Sequence, residues 1–148
     1  MNTEQIHIPV LLKEVLEYLN PKPGDTVFDG TLGGAGHTAA IFEAIAPTGR
    51  LIAVDYDSQA VSTAAKLFKD CNNIFFSKGN FSDVAGIINK FGFKNIDGFF
   101  LDLGLSSIQI DKSGRGFSYI RDEKLDMRMD ENNSMTALKV IKNMTKRN

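Results

Sequence analysis

At 148 residues and 16.3 kDa the chain has the length of one ordinary domain, and with 43% hydrophobic and 24% charged residues it can bury a core. No apolar run approaches the ~18 residues that span a bilayer, and the start, Met1-Asn2-Thr3-Glu4, lacks the basic and then apolar pattern of an export leader. One cysteine, Cys71, excludes an internal disulfide framework, and the distant His7 and His37 argue against a metal centre; a cytoplasmic protein with no metal is the expectation.

The apolar spacing of Val10, Leu11, Val15, Leu16 and Leu19 predicts a helix over 10–19, stopped by Asn20-Pro21-Lys22-Pro23-Gly24. Thr26–Asp29 reads as a buried strand running into a glycine-rich turn. His37–Ala46 reads as a helix, and Arg50–Asp55 as a second strand. Ser58 can cap a helix to about Lys69. Asn73–Ser77 is a third strand, Phe81–Phe91 a third helix after the first turn, and Ile96–Asp102 a fourth strand. From Leu103 to Asp130 no periodicity is visible, which predicts a long loop. Met135–Met144 reads as a last helix, with Ser134 as its cap.

Apolar strands alternating with helices predict an α/β fold, a doubly wound and mainly parallel sheet covered on both faces. Such sheets bind ligands beyond the carboxyl ends of their strands, where Asp29, Asp55 and Asp102 all fall. The net charge of −1 is unevenly spread. Residues 1–111 carry 8 Lys/Arg and 13 Asp/Glu, a balance of −5, and residues 112–148 carry 9 against 5, a balance of +4. The basic end can meet phosphate or simply be a solvated tail. A core over 1–111 and a further segment over 112–148 are expected.

Two constellations carry the chemistry. The first is Asp29-Gly30-Thr31-Leu32-Gly33-Gly34-Ala35-Gly36-His37, where glycines allow a tight turn and close approach of a ligand to backbone. Residues 34–39 also match G-x-G-x-x-A, so a nicotinamide-dependent oxidoreductase is one reading. The acid opening the loop weighs against it, because a carboxylate repels pyrophosphate and welcomes a cationic amino-acid end. S-adenosyl-L-methionine has an ammonium, a sulfonium and no phosphate. Asp55 can accept both hydroxyls of a ribose, and Phe81 can cover an adenine or serve the core. The second constellation is Leu101-Asp102-Leu103-Gly104-Leu105-Ser106-Ser107-Ile108-Gln109. Asp102, Ser106 and Ser107 are candidates for positioning an amine that accepts a methyl, against the plainer reading of a turn at a strand end.

Together these motifs, with His7–Leu12, Arg115–Tyr119 and Leu125–Asp130, make the chain resemble the ribosomal RNA small-subunit methyltransferase H (MraW) family. The resemblance implies a Rossmann-like methyltransferase fold and methyl transfer from S-adenosylmethionine to N4 of a cytidine in the decoding region of 16S rRNA. The amine would attack the sulfonium methyl directly, with no metal and no covalent enzyme intermediate. It also implies cofactor contacts at Ala35, Gly36, His37, Asp55, Phe81, Asp102 and Gln109, to which the reading of the glycine loop adds Asp29 and Gly34. Arg115, Arg121 and Arg128 become candidates for RNA or loop-ordering contacts. Ile108 departs from the family's usual proline. Family members run to roughly twice this length, so the sheet here would end on an apolar edge at Ile96–Leu101. A cofactor-binding chain without catalysis is the alternative expectation.

Overall fold

The computed structural model describes residues 9–144 and divides the chain into two compact units, Met1–Leu103 and Gly104–Asn148. His7, at the start of the motif His7–Leu12, lies outside the described residues.

In the first unit, α1 (Leu12–Leu19) precedes β1 (Thr26–Asp29), and α2 (Gly36–Ile45) leads to β2 (Arg50–Asp55). Then come α3 (Ser58–Leu67), β3 (Ile74–Lys78), a 3₁₀ turn at Phe81–Asp83, α4 (Val84–Lys90) and β4 (Gly98–Phe100). All four strands are parallel, in the order β3-β2-β1-β4. The chain steps outward from β1 to β3, then returns to the other side of β1. The carboxyl ends of β1 and β4 therefore border a topological switch point, where open α/β sheets form their ligand crevice.

Alternate residues of the strands serve opposite faces, as a pleated strand requires. Val27, Leu51 and Ile74 pack with Ile41 and Ile45 of α2, whereas Phe28, Ile52 and Val54 pack with Ile87 of α4 and Phe93. Central β1 is buried along its whole length and β2 over Leu51–Val54, which explains their continuous apolar runs.

Two caps and one helix differ from expectation, and a further cap precedes α4. The Asp57 carboxylate, one residue before Ser58, accepts from Gln59 N–H and caps α3. Asn80 caps the 3₁₀ turn that precedes α4, accepting from Ser82 N–H. In the second unit, α6 (Ala137–Asn143) is capped by Thr136, not Ser134. A short helix, α5 (Ser107–Lys112), forms in the expected loop because Ser106 and Gln109 close a capping box, a local signal that apolar periodicity misses.

Ile52, with no solvent exposure in the middle of β2, tests this core. Ile52→Ala is expected to lower unfolding stability by about 2–5 kcal/mol; urea denaturation measures it, and a loss well under 1 kcal/mol would contradict the packing described.

Candidate functional site

The crevice begins with Asp29 at the end of β1, which is fully buried. One carboxylate oxygen accepts from Thr31 N–H (3.0 Å) and the other from the Thr38 hydroxyl on α2 (2.6 Å). Burial pushes Asp29 up to about 6, against the lowering influence of those hydrogen bonds and of nearby His37. Asp29 thus holds the loop, its two oxygens engaged by Thr31 and Thr38. Gly30 is enforced by space: a Cβ there would lie 2.4 Å from Leu101 Cδ2 and 2.8 Å from Phe81 Cβ. Gly33 and Ala35 adopt left-handed backbone, with φ of 49° and 64°, as the loop turns into α2. Gly34 is exposed, and α2 opens at Gly36 with no side-chain cap, so its first N–H groups are not claimed by a capping side chain.

Asp55 terminates β2. Its two oxygens accept from Gly33 N–H and Asp57 N–H, each at 2.8 Å. Burial raises its pKa, and the N–H groups of Asp57, Gly33 and Tyr56 oppose that rise. Three N–H groups leave about one of the carboxylate's roughly four acceptor sites for a ligand hydroxyl. Phe81 is 38% exposed and adjoins Gly30, so it is a face on the loop and not a core side chain.

Asp102 follows β4. Its backbone N–H donates to the Thr31 hydroxyl (2.7 Å), and its carboxylate, 59% exposed, lies 3.6 Å from His37 Nδ1. The other ring nitrogen of His37 is 2.9 Å from the Val10 carbonyl. Asp29, Asp55, His37, Phe81 and Asp102 thus belong to one unit and lie at the carboxyl ends of its strands or in the segments that follow them. Thr31 and Thr38 were missed as site-forming residues; their only signal was a hydroxyl near the loop acid, two and nine residues away.

The remaining candidates lie in the second unit. Ser106 Oγ accepts from Gln109 N–H (3.2 Å) and Gln109 Oε1 accepts from Ser106 N–H (3.0 Å), so both side chains organise α5, where Ser107 is the first residue. Arg115 is buried and donates to the carbonyls of Arg128 and Met129, both at 3.0 Å. Arg128 grips both oxygens of Asp126 at 2.6 and 2.7 Å. Of the two alternatives for these arginines, the structure supports loop ordering. Arg121 donates to the Asp111 carbonyl and is half-exposed.

Residues 4–148 match the model of the MraW methylase family. The chain belongs to this family. It is 42% identical over 146 residues to a ribosomal RNA small subunit methyltransferase H of Desulfotalea psychrophila, covering 98% of this chain and 50% of that protein. It is 47% identical to the protein of the same name from Mycoplasma mycoides subsp. mycoides, covering 91% of this chain and 44% of that one. The chain therefore spans about half the length of these relatives. Among solved structures, a protein-L-isoaspartate O-methyltransferase aligns with a TM-score of 0.54 at 18% identity, over 65% of this chain and 29% of its own. A SAM-dependent O-methyltransferase from Thermotoga maritima aligns with a TM-score of 0.52 at 20% identity, over 64% and 35%. These likenesses establish the Rossmann-like methyltransferase fold for the family member described here.

Asp29 makes the site pH-sensitive in a defined direction. Its pKa near 6 in the fold, against 3.8 when unhindered, means the buried charge costs stability above pH 6. As pH falls through 6, the folded state takes up the proton first and the cost is relieved. Between about pH 7.5 and 4.5 this contributes a gain on the order of 2–3 kcal/mol. Asp55 acts in the same direction, so Asp29→Asn is expected to flatten the profile in part. Urea unfolding across pH checks this; an unchanged profile in the variant would refute it.

Proposed function

We propose that this chain is the cofactor-binding half of an S-adenosylmethionine-dependent enzyme that methylates N4 of a cytidine in the decoding region of 16S rRNA, within the small ribosomal subunit. The observation that carries the cofactor is Asp55, whose oxygens are aimed by backbone N–H groups at the end of β2 while acceptor capacity is left for a ribose hydroxyl. The exposed Gly34 and the open start of α2 suit the amino-acid end, through the backbone of Ala35, Gly36 and His37. Phe81 suits an adenine face. The curated relatives, named for small-subunit ribosomal RNA, support the substrate. An rRNA substrate implies action in the cytoplasm.

When bound, S-adenosylmethionine supplies an electrophilic methyl on sulfur. The chain's own contribution is placement. Asp102, exposed at the end of β4, is an acceptor for the hydrogens of an incoming amine or for the cofactor, held by Thr31 at its backbone. The amine's lone pair is delocalised into the cytosine ring, so alignment and hydrogen bonding must supply most of the rate. Ser106, Ser107 and Gln109 remain candidates for that placement. The nicotinamide reading fits less well. Its glycine pattern should follow the strand immediately, but β1 ends at Asp29, well before Gly34.

Isothermal titration of the 148-residue chain with S-adenosylhomocysteine is expected to show weak, specific binding, and Asp55→Ala is expected to weaken it about ten- to a hundredfold. Labelled methyl transfer to undermethylated small subunits is expected to be undetectable for this chain by itself. Identical heats for wild type and variant would remove the site, saturable NAD binding would reverse the reading, and turnover would make the chain catalytically sufficient.

A further inference from the structure

The His37 side chain has one hydrogen-bonding nitrogen on each side of a fixed ring. The imidazole is nine-tenths buried and packs on Phe100 of β4, with ring centroids 4.8 Å apart. Nε2 is 2.9 Å from the Val10 carbonyl oxygen. A carbonyl only accepts, so Nε2 carries a hydrogen. Nδ1 is thereby the nitrogen that faces Asp102 Oδ2, 3.6 Å away. Among the described residues, His37 is the one partner of the Asp102 carboxylate, which is otherwise exposed on the crevice rim.

We propose that the His37 imidazole is a positioning residue: a bracket between the Val10 carbonyl and Asp102 that selects the Asp102 rotamer presented to the ligand. This rests on the cofactor reading given above and assigns the work at residue 37 to two groups. The backbone N–H, at the start of α2, is available to the ligand. The ring acts on the ligand through Asp102. With Nε2–H directed at the Val10 carbonyl, the approach of Asp102 is attractive when Nδ1 carries a hydrogen as well; a bare Nδ1 would face the carboxylate as a second acceptor and repel it. Thr31 fixes the Asp102 backbone from the other side (2.7 Å), so the side-chain torsion is the freedom left for His37 to restrict.

The experiment is a double-mutant cycle on this chain, read by titration with S-adenosylhomocysteine. His37→Gln can reach the Val10 carbonyl but offers nothing at the Nδ1 position. It is expected to weaken binding about tenfold, roughly 1.4 kcal/mol. The same change made in Asp102→Asn is expected to cost less than about twofold, because a residue acting through another is non-additive with it. His37→Asn, whose amide reaches the Nδ1 position, is expected to recover part of the loss. Additive losses in the cycle, or equal losses for the Gln and Asn variants, would overturn the proposal, since a merely structural histidine behaves that way. Nitrogen-15 spectra of the imidazoles give a second readout that needs no ligand. The chain has two histidines, so His37→Gln assigns the signals. A ring with hydrogens on both nitrogens and an Nδ1 signal that responds to Asp102→Asn supports the bracket; a neutral ring, or an indifferent Nδ1, refutes it. A wild-type chain that fails to bind S-adenosylhomocysteine removes the cofactor reading, and the spectra still decide the bracket.

Discussion

A carboxylate with no solvent exposure must find its donors inside the fold, and the crevice is organised around how Asp29 does so. Thr31 N–H and the Thr38 hydroxyl supply them, one from the loop after β1 and one from α2. Meeting both fixes the direction in which the chain leaves the strand and the position of the helix it enters. Burial still outweighs these bonds, which is why the group stays near 6. The loop is thus held by a group whose burial disfavours its charge.

From that anchor the constraint spreads across the switch point. Thr31, once placed by Asp29, directs its hydroxyl to the backbone N–H of Asp102, and Gly30 N–H donates to Phe100 O (3.0 Å). The ends of β1 and β4 are therefore tied together. On the other side Gly33 N–H reaches Asp55, tying the same loop to the end of β2. Three strand ends are joined through one short loop, and glycine is required where Leu101 and Phe81 close on Gly30. The acids differ in exposure accordingly. Asp29 supports from below, Asp55 is half-buried, and Asp102 faces solvent.

In the second unit the charged groups mostly order backbone. Arg115 and Arg128 satisfy loop carbonyls, and Gly116 N–H donates to Glu123 Oε2 (2.8 Å) where the chain passes so close to Lys124 that a Cβ would lie 2.3 Å from its carbonyl oxygen. Guanidinium groups, with several donors in a plane, suit a segment that has little regular structure to satisfy its carbonyls. A positive charge balance over 112–148 is compatible with phosphate, yet two of its arginines are committed to internal bonds.

The sequence by itself determined the parallel sheet, the limits of β1 and β2, and the three acids at the strand ends, because a buried strand leaves an unbroken apolar run and ends where polarity begins. The glycine loop was legible for a different reason: glycines after a buried strand mark a tight turn whose backbone other residues adopt only with strain. Only the tertiary structure decided how each acid is held and how far it reaches solvent. Depth below the surface, and the donors that meet Asp29 from another element, depend on contacts between residues distant in the chain. The same holds for His37, whose partners Val10 and Asp102 stand on opposite sides of it in sequence. Local hydrogen bonding also escaped the apolar pattern: α5 rests on a Ser106–Gln109 capping box, and Asp57 displaces Ser58 as a cap, through bonds that periodicity does not record.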